Sequence, residues 1–118
     1  MNLVDKDGLK VDAAVTLGLG AFARAHLGVY TDDVLAAGDR GWGVIGVNFR
    51  SSDVIDALKP QDGLYTLLCR ENSADKLRVI GAFLDVLNAG SELAAVLKVM
   101  AKPEIRVVTI TVTEKGYC

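Results

Sequence analysis

Apolar and polar positions change period twice before Arg50. Ala13 to Leu17 is a short, largely apolar run that stops at Gly18, and so few residues suit a buried strand better than a helix. From Phe22 to Ala37 the spacing lengthens to alternating steps of four and three, which puts Ala23, Leu27, Tyr30, Val34 and Ala37 on one helix face. Gly38 supplies the stop. Residues 42 to 49, WGVIGVNF, return to a strand-like run. Strand, helix and strand in this length predict a βαβ unit with parallel strands and a right-handed crossover.

Further on, SSDVIDALKP offers Ser52 or Asp53 as a helix cap and Pro60 as a stop. Leu64 to Cys69 and Leu77 to Leu84 read as two strands joined by the polar RENSADK, a hairpin laid on the sheet edge. Ser91 is the expected cap of a helix whose face is Leu93, Val96, Leu97 and Met100, with Pro103 beyond its end. The seven β-branched residues of VVTITVT, 107 to 113, predict a central strand covered on both faces. Only TEKGYC follows. The expected fold is therefore α/β: one unit over residues 1–118, a partial Rossmann-type, doubly wound parallel sheet of about three strands with an inserted β-hairpin. It is cut before its second half, so an apolar face and a strand edge stay exposed.

With 118 residues, 51% hydrophobic and 24% charged, the chain fits one soluble globular domain. A net charge of −2 and the lack of a basic stripe speak against nucleic acid and against anionic membrane. MNLVDKDGLK carries acids where a signal peptide needs an apolar core, and no apolar run approaches the ~20 residues that span a bilayer. A cytoplasmic location follows by default. Cys69 and Cys118 lack the close spacing of a metal or redox motif and read as free thiols.

The chemistry concentrates in VTLGLGAFARAH. Gly18, Gly20 and Ala23 match G-x-G-x-x-G/A after a predicted strand and at the opening of a predicted helix. Gly18 allows the tight turn, Gly20 lets a pyrophosphate approach the backbone, and Ala23 lets the helix cross the sheet closely. Amides at the helix start and the helix dipole would hold the anion, with Arg24 adding charge. After the second strand comes VNFRSSD. Asn48 or Asp53 suits ribose hydroxyls, whereas Arg50 with Ser51 suits a 2′-phosphate or is a solvated strand-end charge, so NAD and NADP both stay open. His26 reads as a packing or hydrogen-bonding residue, and Asp32 and Asp33 as solvated. Glu114 and Lys115 either face a ligand beyond the last strand or form a surface ion pair.

GLGAFARAH, YTDD, PQDGLYTL and TVTEKGY, in this order, resemble the N-terminal part of the mannitol dehydrogenase family, polyol-specific long-chain dehydrogenases that include fructuronate reductases. The likeness runs from Val15 to Tyr117. It implies an NAD(P)-binding Rossmann domain followed by a largely helical domain, and a metal-free, reversible hydride transfer. The hydride would pass between the nicotinamide and a secondary alcohol of a sugar alcohol or aldonate, as in mannitol 2-dehydrogenase or fructuronate reductase. The resemblance assigns Gly18, Gly20, Phe22 and Arg24 to the cofactor turn, with Leu19 and Ala21 between them, and Thr113, Glu114 and Lys115 to the nicotinamide side. Asn48 and Arg50 complete the expected cofactor set. The family's catalytic lysine, asparagine and histidine belong to its second domain, so no catalytic residue is expected here and Lys115 is not that lysine. The alternative function is a non-catalytic nucleotide-binding or regulatory module.

Overall fold

Small and β-branched residues at the centre of a sheet let strands be covered on both faces, and two such segments form the middle of this one. In the computed structural model, β1 (Asp12–Leu17) and β2 (Trp42–Asn48) run parallel with Leu17 opposite Val47. Residues 3, 8, 10–19, 21–38, 41–49, 53–71 and 74–110 are described, Ala21, Phe22 and Glu71 in their backbone only. β5 (Phe83–Asn88) pairs with β2 and β6 (Ile105–Ile110) with β1, so the parallel sheet has the order β5-β2-β1-β6. β3 (Tyr65–Glu71) and β4 (Ala74–Ile80) form a separate antiparallel pair.

The helices are α1 (Ala21–Ala25), α2 (Leu27–Ala36), α3 (Asp53–Leu58) and α4 (Leu93–Met100). One face of the sheet holds Leu19, Val44, Phe83 and Val86 against α2, α3 and the β3–β4 hairpin. The other holds Val15, Ile45, Val47 and Leu87 against Val96, Val99 and Met100 of α4. α3 ends at Leu58, and Pro60 sits in the 3-10 turn Lys59–Gln61 that follows.

Several expectations are corrected. The helix expected from Phe22 to Ala37 is broken at His26, whose φ of −118° and ψ of −75° leave helical geometry. Of the expected stripe Ala23 is buried and Leu27 packs on the core, but beyond them the inward positions shift to Gly28, Asp32 and Leu35, while Tyr30 and Val34 are 63% and 43% exposed and Ala37 is exposed too. The presumed single strand Leu77–Leu84 is the end of β4, a Gly81–Ala82 link and the start of β5. That adds a fourth parallel strand, and the hairpin packs beside α2 rather than on the sheet edge. Glu92, not Ser91, stands at the N-cap of α4. Val96 is buried while Leu93 and Leu97 are exposed, so the inward stripe is Val96, Val99 and Met100. β6 is an edge strand among the described residues, with Val107, Val108 and Ile110 exposed, not a central strand covered on both faces. β-branching reports the preference for an extended backbone, not what covers it.

Asp32 and Asp33 are not simply solvated. Asp32 accepts hydrogen bonds from the Gly81 amide at 2.9 Å and from the Arg78 guanidinium at 2.8 Å, and Asp33 lies 2.6 Å from the same guanidinium. The bonds to Asp32 and then Asp33 hold the Arg78 proton more firmly than usual. Tyr65, also of the hairpin, sets its ring 5.8 Å from Phe83 at a tilt of 54° and reaches over Gly28, where a Cβ would collide with its hydroxyl. Burial pushes the Tyr65 phenol up to about 12, against an ordinary 10.0.

Two outcomes follow from this packing. A Cβ at Gly46 would lie 2.7 Å from Leu19 Cδ1, so Gly46→Ala is expected to cost about 1–3 kcal/mol by overpacking, read by urea unfolding. Tyr65 holds its proton more tightly when folded than when unfolded, so its contribution to stability is complete below about pH 10 and is lost between about pH 10 and about pH 12. Melting temperatures measured across that window should fall less steeply in Tyr65→Phe.

Candidate functional site

Parallel strands end at one common edge, and ligands of open α/β sheets gather there, where the strand order reverses. The chain passes from β1 outward to β2 and β5, then returns to the far side of β1 as β6. The reversal lies between β1 and β6, and the turn that leaves β1 is the glycine segment. Gly18 has a φ of +107°, which L side chains rarely adopt, and open space stands where its Cβ would project. Its amide donates to the Val47 carbonyl at 2.8 Å, continuing the sheet by one residue. This amide is therefore turned inward and is not one that an anion can use.

Leu19 departs from the path of its neighbours. Its side chain is wholly buried and rests on Gly46 of β2. Leu19 as a whole is closed off from solvent, so it shapes the turn from beneath. Ala23 is buried too. Because α1 has five residues before the break at His26, the expected dipole of one long helix behind the turn is absent. Arg24 is half-buried at the end of α1, and its carbonyl accepts the Tyr65 hydroxyl at 2.5 Å. At neutral pH that phenol is protonated and can donate.

Asn48 ends β2 opposite Asn88, the last residue of β5, and its carbonyl accepts the Ala89 amide at 2.8 Å. The sheet thus brings Gly18, Leu19 and Asn48 to one edge with the exit of β6, and Arg24 follows on α1. Ala21 and Phe22 belong to α1, their side chains not among those described. Gly20, Arg50, Thr113, Glu114, Lys115 and Cys118 lie outside the described residues. Asp53 opens α3 and is exposed, as is His26 at the α1–α2 junction, 6.3 Å ring to ring from Tyr30. Cys69 is a free thiol. Among the described residues no group of three or more His, Cys, Asp or Glu is placed to hold a metal ion, and no helix is long and apolar enough to cross a membrane.

Sequence reasoning missed Tyr65, Gly28, Asp32 and Arg78 as parts of the support around this edge. An alternating strand pattern does mark Tyr65 as facing the same way as Leu67, but nothing in it shows which carbonyl the hydroxyl reaches.

Known proteins share this arrangement. Residues 12–117 match the family model described as the mannitol dehydrogenase Rossmann domain. A mannitol 2-dehydrogenase of Pyrenophora tritici-repentis is 42% identical over 87% of this chain and 19% of its own length, and a D-mannonate oxidoreductase of Escherichia coli is 38% identical over 88% and 22%. Among solved structures, Pseudomonas fluorescens mannitol 2-dehydrogenase, in a ternary complex with NAD and D-mannitol, superposes with a TM-score of 0.83 at 38% identity, covering 92% of this chain and 23% of that one. A D-sorbitol dehydrogenase in substrate-free form gives 0.80 at 37% identity, over 97% and 24%. The chain spans between 19% and 23% of the curated relatives' length. With its four-stranded parallel sheet and glycine turn, it belongs to the mannitol dehydrogenase family, whose Rossmann domain it carries.

Proposed function

We propose that this chain is the N-terminal, cofactor-holding portion of an NAD(P)-dependent oxidoreductase that interconverts a sugar alcohol or aldonate and its keto sugar. The observation that carries the reading is the glycine turn at the strand-order reversal, with Gly18 at φ +107° and open space before it. Leu19 and Ala23 are both buried, so neither side chain would stand between a diphosphate and the turn. The neighbour solved with NAD and D-mannitol supports NAD as the dinucleotide and a polyol as the substrate class.

In this reading Gly18 sets the bend of the turn, its own amide being spent on Val47, and the main chain after it, through Gly20 to Phe22, holds the diphosphate, with Arg24 adding positive charge beside it. Asn48 and Arg50, after β2, serve the adenosine ribose, and Thr113, Glu114 and Lys115, after β6, flank the nicotinamide. A bound nicotinamide would supply the hydride acceptor for the alcohol carbon. This chain's residues bind and orient it, and the proton-transferring groups belong to a further, largely helical domain of the whole protein. The compartment we propose is the cytoplasm.

Calorimetric titration tests the reading. The 118-residue chain is expected to bind NAD or NADP saturably, and Gly18→Ala to weaken that binding roughly tenfold, because its backbone must leave φ +107°. A folded chain that binds neither dinucleotide overturns the proposal. Binding to the chain, together with no polyol or aldonate oxidation by the whole protein that carries it, would favour a non-catalytic nucleotide module.

A further inference from the structure

The glycine turn is short, and its two flanks are fixed by different parts of the molecule. On the strand side, the Gly18 amide bonds to Val47 and Leu19 seats on Gly46. On the helix side α1 runs for only five residues, so whatever holds its end also holds the turn. Ala23 is buried, but a methyl group does not fix the helix's rotation or its axial position.

We propose that Tyr65 is a positioning residue of the nucleotide site, its hydroxyl holding the Arg24 carbonyl and thereby the glycine turn. This rests on the cofactor reading above. The last turn of a helix is where carbonyls run short of backbone donors, so a buried side-chain hydroxyl is an effective partner there. Tyr65 is held in its turn by contacts that need no ligand. Its ring lies against Phe83, its strand register sets it opposite buried Ile80, and Gly28 leaves the gap its hydroxyl passes through. The hairpin as a whole is tied to α2 by the bonds of Asp32 to the Gly81 amide and to Arg78. The hairpin is thus a brace that pre-arranges the turn before a dinucleotide arrives, which lowers the ordering cost of binding.

The role separates from general stability because it concerns the phosphates and not the adenosine end. In titrations of the full chain with NAD, ADP and adenosine, Tyr65→Phe is expected to raise the dissociation constants of NAD and ADP by the same factor, about fivefold. Adenosine, followed by NMR shifts, should be unaffected, and Tyr30→Phe, at an exposed tyrosine of α2, should change none of the three. Gly28→Ala, which crowds the hydroxyl instead of deleting it, should reproduce the pattern, and it decides the matter if Tyr65→Phe does not fold. NAD and ADP binding within twofold of the parent, or adenosine weakened as much as ADP, overturns the role of Tyr65. A parent chain that binds no NAD overturns the cofactor reading instead, and the brace with it.

Discussion

Leu19 sends its whole side chain into the core directly after the left-handed bend at Gly18. The seat it finds on β2 exists because residue 46 is a glycine, and that contact ties the exit of β1 to the strand beside it. A turn rich in glycine would by itself sample many shapes, since each glycine leaves the backbone wide freedom. Anchoring one apolar side chain removes much of that freedom without placing any group on the outer side. The same residue therefore contributes to folding and fixes the path of the turn.

The β3–β4 hairpin extends this logic from the sheet to the helices. It adds no strand to the parallel sheet, yet it supplies Tyr65, Ile80 and Leu67 to the core below α2 and carries Arg78 to Asp32 and Asp33. Its outer face carries Leu68, Leu77 and Val79 exposed. Only one side of the hairpin is thus committed to this core, and that side is the one that meets the end of α1.

The centre of the sheet was readable from the chain because β1 and β2 are short apolar runs ended by recognisable punctuation, and the glycine motif between them has spacing as well as composition. β5 escaped because Asp85 interrupts its apolar run and Gly81 and Ala82 blur its start; Asp85 is exposed there, which a strand at the sheet's edge tolerates. The helix face after His26 was misplaced because one of its inward positions is a glycine and another an aspartate, neither of which a search for apolar spacing can find. At the site, Gly18 and Ala23 were legible through backbone and size requirements that have a fixed spacing. Tyr65 and Asp32 were not, because their partners lie 41 and 49 residues away in the chain, and tertiary proximity of that kind has no local pattern.

The seat of Leu19 on Gly46 also constrains how the sequence can drift. A methyl group at position 46 claims volume that the leucine already fills, so each residue restricts the alternatives allowed at the other. Positions 19 and 46 should change in concert across descendants of this domain, one growing only where the other shrinks. Since one of them belongs to the glycine turn, an apparently silent exchange in the middle of β2 would reshape that turn from behind.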